Sequence, residues 1–288
     1  MFIGTYTAII TPFTADGRID YDCLKALVTA QVAGGVEGIV PAGTTGESPT
    51  LDTREHIKVI ETVVQAAAGK AKVLAGTGAN STAEAIELTQ EAKTLGVDGT
   101  LQVTPYYNKP SQEGLYRHFS AVADLGLPVV LYNVPGRTGR EIALETIARL
   151  SRHPSVVSVK EAAGDANRVS AIHALCDIDI LCGDDSLTLP MIATGAVGVI
   201  SVVSNIAPRA VSDMTRLALA GDFAKARALH KKYYPLFRDL FIDTNPVPVK
   251  YAAARLGLCQ EIYRLPLCEL SAAHKATLDK TLAEVGLL

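Results

Sequence analysis

Short apolar segments alternate along most of the chain with longer segments of helical periodicity. The apolar segments are continuous rather than alternating, which is typical of parallel strands covered on both faces. They predict eight strands, at Tyr6–Thr11, Gly38–Ala42, Lys72–Ala75, Gly99–Val103, Val129–Tyr132, Val156–Lys160, Ile178–Cys182 and Val197–Ser201. A helix is predicted after each strand, at Tyr21–Ala33, Thr53–Ala68, Thr82–Leu95, Gln112–Leu125, Leu144–Ser151, Ala166–Leu175, Ser186–Thr194 and Pro208–Ala220.

The repeated unit is therefore a strand followed by a helix. Glycines at Gly34, Gly96 and Gly195 stand where a helix should end before the next strand. Eight such units favour a closed (β/α)8 TIM barrel, although the pattern alone leaves an open doubly wound sheet possible.

The strands stop after Ala220, and the remaining chain has only helical periodicity. Three more helices are predicted, at Asp222–Phe241, Val249–Leu256 and Leu270–Val285. We therefore expect an α/β protein with a catalytic barrel over residues 1–221 and a C-terminal helical extension over residues 222–288.

Composition narrows the class of protein. With 27 basic and 30 acidic residues among 288, the net charge is −3, which provides no strong positive field for nucleic acid or an anionic membrane. One uncharged stretch, Ser186–Pro208, is about as long as a membrane-spanning helix. Pro190, Gly195 and Gly198 interrupt it, so a buried helix followed by a strand is the better interpretation.

Cysteine usage and the N-terminus both indicate a reducing compartment. The five cysteines are odd in number and form no C-x-x-C pair, which argues against a disulfide framework. The first residues lack a basic segment followed by an apolar one, so we expect no secretory signal and a cytoplasmic protein.

The sequence contains no complete nucleotide-binding motif and no closely spaced pair of histidines. Asp184 and Asp185 are predicted to be helix N-terminal caps rather than metal ligands.

Candidate catalytic residues are sought at the carboxyl ends of the strands, where barrels of this kind carry their active sites. Lys160 closes the sixth predicted strand. Burial there would lower its pKa, and a neutral amine can form a Schiff base with a carbonyl. The alternative is an ordinary ion pair with Glu161, which the spacing alone favours.

Two other strand ends add groups that suit the same chemistry. Tyr132 could relay protons, Thr44 and Thr45 could hydrogen-bond an amine and a carboxylate, and Arg137 could bind an acidic substrate through two hydrogen bonds. Each has an ordinary alternative: a core aromatic, turn residues and a surface charge. Their combination beside Lys160 favours the catalytic interpretation.

The chain resembles the dihydrodipicolinate (4-hydroxy-tetrahydrodipicolinate) synthases, a branch of the pyruvate-dependent class I aldolase family that includes N-acetylneuraminate lyase. The resemblance covers essentially the whole length. It is carried by Gly43-Thr-Thr-Gly-Glu, Pro105-Tyr-Tyr-Asn-Lys-Pro, Tyr132-Asn-Val-Pro-Gly-Arg-Thr, Val159-Lys-Glu and Gly198-Val-Ile-Ser.

This resemblance implies an enzyme, a lyase of lysine biosynthesis by the diaminopimelate pathway. The reaction condenses pyruvate with L-aspartate 4-semialdehyde and needs no metal or organic cofactor. The resemblance makes Lys160 the Schiff-base lysine. It makes Tyr132, Thr44 and Tyr107 a proton relay, with Tyr107 reaching in from a neighbouring subunit of a homotetramer.

The remaining matched positions are implied to bind ligands. Thr45 matches the position that holds the pyruvate carboxylate, Arg137 the position that holds the carboxylate of the aldehyde, and Gly183 and Ile200 contribute main-chain groups near the lysine. Lysine-inhibited members bind their end product at a dimer interface, where the matching positions are Ser48, Pro49, His56, Asn80, Glu84 and Tyr106.

Alternatives to this interpretation stay open at the level of sequence. The chain could be another pyruvate aldolase of the family, acting on a sugar acid or on hydroxy-oxoglutarate. Arg137 and the two adjacent threonines argue against that activity. It could also be a non-catalytic, ligand-sensing barrel, although Lys160, Tyr132 and Thr44 are all intact. His56 and Glu84 could be ordinary helix-surface residues.

Overall fold

Eight parallel strands form a closed barrel in the computed structural model, which describes residues 1–288. Each strand pairs with the next in chain order, and β8 closes against β1. The strands are β1 Gly4–Ala8, β2 Gly38–Val40, β3 Lys72–Gly76, β4 Gly99–Val103, β5 Val129–Asn133, β6 Val156–Glu161, β7 Asp179–Cys182 and β8 Gly198–Ser201. The predicted TIM barrel is confirmed.

Helices connect successive strands and surround the barrel. They are α1 Tyr21–Gly34, α2 Thr53–Ala67, α3 Thr82–Thr94, α4 Gln112–Ala123, α5 Pro135–Thr138, α6 Leu144–Leu150, α7 Asn167–His173, α8 Thr188–Ala193 and α9 Pro208–Leu219. All eight predicted connecting helices are present. The short α5 was not predicted, because four residues that begin with a proline are too few to show helical periodicity.

The first strand differs from its prediction because hydrophobicity reports burial rather than strand pairing. β1 ends at Ala8, whereas the apolar run continues through Ile9 and Ile10, which are both buried. Ile9 still donates its N–H to Val40 O, but the N–H of Ile10 bonds to the side chain of Asn205. The chain therefore leaves the sheet while its side chains remain in the core.

The core has two parts, one between the strands and the helices and one inside the barrel. Eleven buried apolar side chains form the inner part, which includes Leu74, Val130 and Leu181 and ends at Tyr132 and Ile200 near the carboxyl ends of the strands. A fully buried Val or Leu stabilises the fold by about 1.5–3 kcal/mol. The inner cluster therefore fills the barrel interior with packed apolar side chains below the carboxyl ends of the strands.

Closure of the barrel requires glycine where β8 meets β1. Gly198 pairs with Gly4, and a Cβ at Gly198 would lie only 2.1 Å from the carbonyl oxygen of Gly4. Such a contact is impossible without separating the strands, so a side chain here would open the barrel.

Three further helices follow the barrel: α10 Phe223–Asp239, α11 Val247–Arg255 and α12 Ala272–Val285. Gly221, with φ of 82°, separates α9 from α10, and Asp222 caps α10 by accepting the N–H of Lys225. The predicted boundary between residues 221 and 222 stays a proposal. No helix has the length and apolar content needed to cross a membrane.

Candidate active site

A cavity of about 210 Å³ opens at the carboxyl ends of the strands. Three of the predicted catalytic or substrate-binding residues line it, namely Thr44, Tyr132 and Arg137. Three of the predicted regulatory residues line it as well, namely Ser48, Pro49 and Tyr106. Four other predicted site residues are not part of the cavity lining: Lys160, Thr45, Gly183 and Ile200. Their contacts with Tyr132 and with the other lining residues show whether they belong to the same site.

Lys160 lies directly beside Tyr132. The two residues are register partners on β6 and β5, and Lys160 Nζ is 4.0 Å from the centre of the Tyr132 ring. The lysine is only 6% exposed, and its ammonium makes no hydrogen bond or ion pair to another residue. A buried amine without a carboxylate partner is free to act as a nucleophile.

The alternative pairing of Lys160 with Glu161 is wrong. Successive side chains of a strand point to opposite faces, so Glu161 points away from the barrel interior when Lys160 points into it. The Glu161 carboxylate instead accepts hydrogen bonds from Asn133 and from Arg168, at 2.8 Å each. Burial raises the pKa of Glu161, and Arg168 partly offsets this effect. Arg168 therefore neutralises Glu161 and leaves Lys160 unpaired.

Thr44 and Thr45 are the central residues of a tight turn after β2. Gly46 N–H donates to Gly43 O at 3.1 Å, and Glu47 N–H donates to Thr44 O at the same distance, so two turns overlap. Glu47 adopts a left-handed conformation with φ of 55°. A side-chain-bearing residue in this conformation costs about 1–2 kcal/mol, and strain of this kind is concentrated at functional sites.

Arg137 lies on α5 at the rim of the cavity, and a residue of the C-terminal extension connects it to Thr45. Arg137 donates to the backbone oxygen of Asn245 at 3.0 Å. The side-chain amide of Asn245 donates to Thr45 Oγ1, also at 3.0 Å. Sequence reasoning missed Asn245, since its Asn-Pro dipeptide indicates only a turn.

Gly183 lies close to Lys160. A Cβ at Gly183 would lie 2.6 Å from Ala162 Cβ and 3.1 Å from Lys160 Cε, so glycine permits the chain after β7 to approach the end of β6 this closely. The adjacent Asp184 is partly buried, which raises its pKa, and Lys160 opposes that shift. Ile200 is fully buried on β8 within the inner cluster.

The prediction that Asp184 and Asp185 cap a helix is wrong. The side chain of Asp185 is buried and accepts hydrogen bonds from Ser201 Oγ and from the N–H groups of Val202 and Val203. Three donors at the end of β8 therefore hold this carboxylate, and α8 has no side-chain cap. No three His, Cys, Asp or Glu side chains are grouped so that they could hold a metal ion.

Tyr107 is separate from this arrangement within a single chain. It is 91% exposed, has φ of 73°, and its phenol makes no hydrogen bond. The loop after β4 therefore presents an aromatic side chain outward in a conformation that is uncommon for residues other than glycine.

The predicted regulatory residues are only partly brought together. His56 is buried, and its Nε2 lies 2.7 Å from Gly76 O, so it is not a helix-surface residue. Burial lowers the pKa of His56. Glu84 is exposed at the start of α3, and together with burial it raises the pKa of Tyr106. The backbone oxygen of Asn80 accepts a hydrogen bond from Asn108.

Comparison with known proteins shows the family of the chain. Residues 1–285 match the model of the dihydrodipicolinate synthetase family. A 4-hydroxy-tetrahydrodipicolinate synthase from Pelobacter propionicus is 52% identical, with 100% of both chains covered.

Two solved structures are similar over the whole fold. A chloride-inhibited dihydrodipicolinate synthase from Acinetobacter baumannii, complexed with pyruvate, is 42% identical with a TM-score of 0.97, and 100% of both chains is covered. A dihydrodipicolinate synthase from Cyanidioschyzon merolae with lysine bound is 40% identical with the same TM-score, covering 100% of this chain and 99% of that one. The chain described here belongs to the dihydrodipicolinate synthetase family.

Proposed function

We propose that the chain catalyses the condensation of pyruvate with L-aspartate 4-semialdehyde to 4-hydroxy-tetrahydrodipicolinate, through a Schiff base on Lys160. The observation that carries the proposal is the buried, unpaired amine of Lys160 next to Tyr132. Relatives about 50% identical over their full length bear the name of this synthase, which supports the choice of reaction.

In the first half of the reaction, the Lys160 amine attacks the ketone carbon of pyruvate and water leaves. The resulting iminium withdraws electrons, so the pyruvate methyl group gives up a proton and becomes an enamine carbon. The Tyr132 ring contacts the amine, and its phenol moves these protons together with Thr44 at the cavity wall.

In the second half, the enamine carbon attacks the aldehyde carbon, whose oxygen takes up a proton. The product is a ring that contains the amino nitrogen of the aldehyde substrate. The attack by the enamine carbon re-forms the iminium on Lys160. The amino nitrogen then attacks the iminium carbon and gives a proton to Lys160 Nζ, and the bond between that carbon and Nζ breaks. The ring closes as an imine, and the free lysine amine is restored.

One hydroxyl and one guanidinium are proposed to select the two substrates by binding their carboxylates. Thr45 is proposed to hold the carboxylate of pyruvate, and Arg137 that of the aldehyde, since a guanidinium binds a carboxylate through two hydrogen bonds. Asn245 contacts both residues and so supports a fixed spacing between the two carboxylates. Gly183 and Ile200 are proposed to complete the pocket near the lysine.

Further parts of the proposal concern assembly, location and cofactors. We propose a homotetramer in which the exposed Tyr107 of one subunit enters the site of another. Five free thiols suit a reducing compartment, which supports a cytoplasmic location. Lys160 itself supplies the electron sink, so the proposed reaction uses no metal or organic cofactor.

We also propose that L-lysine inhibits the enzyme at Ser48, Pro49, His56, Asn80, Glu84 and Tyr106. The supporting observation is that Ser48, Pro49 and Tyr106 line the same cavity as Tyr132. Glu84 is exposed and beside Tyr106, where it could pair with the ammonium of the effector.

A coupled assay with both substrates tests this function, with and without L-lysine. A sugar acid and hydroxy-oxoglutarate form the comparison panel for other aldolases of the family. Turnover of pyruvate with L-aspartate 4-semialdehyde is expected. Preference for another substrate, or pyruvate binding without turnover, would contradict the proposed reaction, and a rate unchanged up to millimolar L-lysine would contradict the regulation.

A further inference from the structure

Glu47 and Lys250 form an ion pair that is completely removed from solvent. Their Oε1 and Nζ atoms are 2.5 Å apart, and both side chains are 0% exposed. Glu47 belongs to the turn that carries Thr44 and Thr45, whereas Lys250 lies on α11 in the C-terminal extension. The proposed chemistry assigns no role to either residue.

Each charge has the other as its main partner. Lys250 Nζ lies 4.0 Å from the centre of the Phe13 ring, and Glu47 is the only carboxylate that it contacts. The second oxygen of Glu47 accepts one long hydrogen bond, at 3.4 Å, from the N–H of Arg264. Burial lowers the pKa of Lys250, and Glu47 opposes that shift.

A buried ion pair often adds little to the free energy of unfolding. The cost of desolvating two charges often exceeds their attraction, and apolar replacements of similar volume are frequently as stable. Buried pairs are better at fixing one geometry, because neither partner has an alternative place to go. The segments that the pair joins therefore indicate which part of the structure it holds in place.

The pair fixes the turn that is proposed to bind pyruvate. The N–H of Glu47 closes the turn onto Thr44 O, so the position of Glu47 determines how Thr44 and Thr45 are presented. Two residues of the C-terminal extension contact this turn. Lys250 forms the ion pair with Glu47, and Asn245 donates a hydrogen bond to Thr45.

We infer that Glu47 and Lys250 are positioning residues through which the C-terminal extension sets the geometry of the pyruvate-binding turn. This inference rests on the proposed function, because it assigns pyruvate to that turn. It predicts that loss of the pair weakens pyruvate binding even when the protein remains stable.

The test compares Glu47→Gln with the double variant Glu47→Leu/Lys250→Met. The single variant leaves the buried ammonium with only a neutral amide beside it and is expected to lower Tm, whereas the double variant replaces both charged groups by apolar side chains and should regain most of it. The pyruvate KM of the double variant should stay raised about tenfold, the effect of one misplaced hydrogen bond to a charged group, while kcat changes little. Glu55→Gln is the matched control. Its ion pair with Arg264 also joins the extension to the barrel, but lies outside the turn.

A double variant with the pyruvate KM of the wild type would overturn the inference, and so would a double variant that fails to fold while Glu55→Gln folds. An equal rise of KM in Glu55→Gln would also overturn it, since any loosening of the extension would then suffice. The wild-type enzyme is assayed in parallel. If it does not use pyruvate, the proposed function fails instead.

Discussion

Tyr132 and Lys160 are paired in register on adjacent strands, with the lysine ammonium 4.0 Å from the centre of the tyrosine ring. Because the sheet itself sets this distance, the phenol and the amine do not depend on a flexible loop for their arrangement. The charge of the next residue, Glu161, is taken up by Arg168 on the other face. The strands therefore hold the proposed nucleophile and the proposed proton carrier in fixed positions.

Tyr132→Phe should lower kcat by about 10²- to 10⁴-fold, because it removes a group that transfers protons and leaves the amine in place. Pyruvate should still be trapped on Lys160 by borohydride. Steady-state kinetics and mass spectrometry measure the two effects. Tyr116→Phe, on α4 beneath Arg149, is the control. A kcat of Tyr132→Phe equal to that of the control would remove the relay role.

Arg137→Lys should raise the KM for L-aspartate 4-semialdehyde by about 10- to 100-fold, since a lysine cannot form the two parallel hydrogen bonds of a guanidinium. The KM for pyruvate should change much less, because Thr45 is proposed to bind that carboxylate. Equal changes for both substrates would instead indicate a general disturbance through Asn245. Arg117→Lys, at a surface ion pair with Glu113, provides the control.

Tyr107→Phe and Lys160→Ala should each be nearly inactive, yet regain activity when the two proteins are unfolded together and refolded as a mixture. In a mixed oligomer, an intact Lys160 of one subunit meets an intact Tyr107 of another. Gel filtration with activity measurement follows the assembly. Active monomers, or a mixture without recovered activity, would show that the site is not shared.

His118 should make the folded state sensitive to acid. Burial lowers its pKa from 6.5 to about 4. Between these values the unfolded chain binds more protons than the folded chain, so stability rises with pH, by at most about 3 kcal/mol. His118→Gln should flatten the dependence of the unfolding free energy on pH in this window. Its slope will not vanish, because burial also lowers the pKa of His56. An unchanged slope would contradict the assignment.

The strand–helix repeat could be predicted from sequence because continuous apolar runs report burial on both faces of a parallel sheet. The same rule placed the first strand too late, since Ile9 and Ile10 are buried without belonging to it. Lys160 and Tyr132 were proposed as site residues because barrels carry their chemistry at the carboxyl ends of the strands, and that assignment stays a prediction.

Asn245 and the Glu47–Lys250 pair could not be found in that way. Glu47 and Lys250 are 203 residues apart in sequence, and nothing local in either segment shows that they meet. The alternative that paired Lys160 with Glu161 failed for a related reason. Adjacency in sequence suggested a partner for Lys160, whereas strand geometry sends the two side chains to opposite faces.

Trapping of the pyruvate adduct tests the central claim most directly. The wild-type protein is treated with pyruvate and borohydride, digested, and its peptides are weighed by mass spectrometry. One reduced pyruvate adduct should appear, on Lys160 alone, and it should be absent without pyruvate or in Lys160→Ala. An unmodified Lys160, or an adduct at another lysine, would contradict the mechanism.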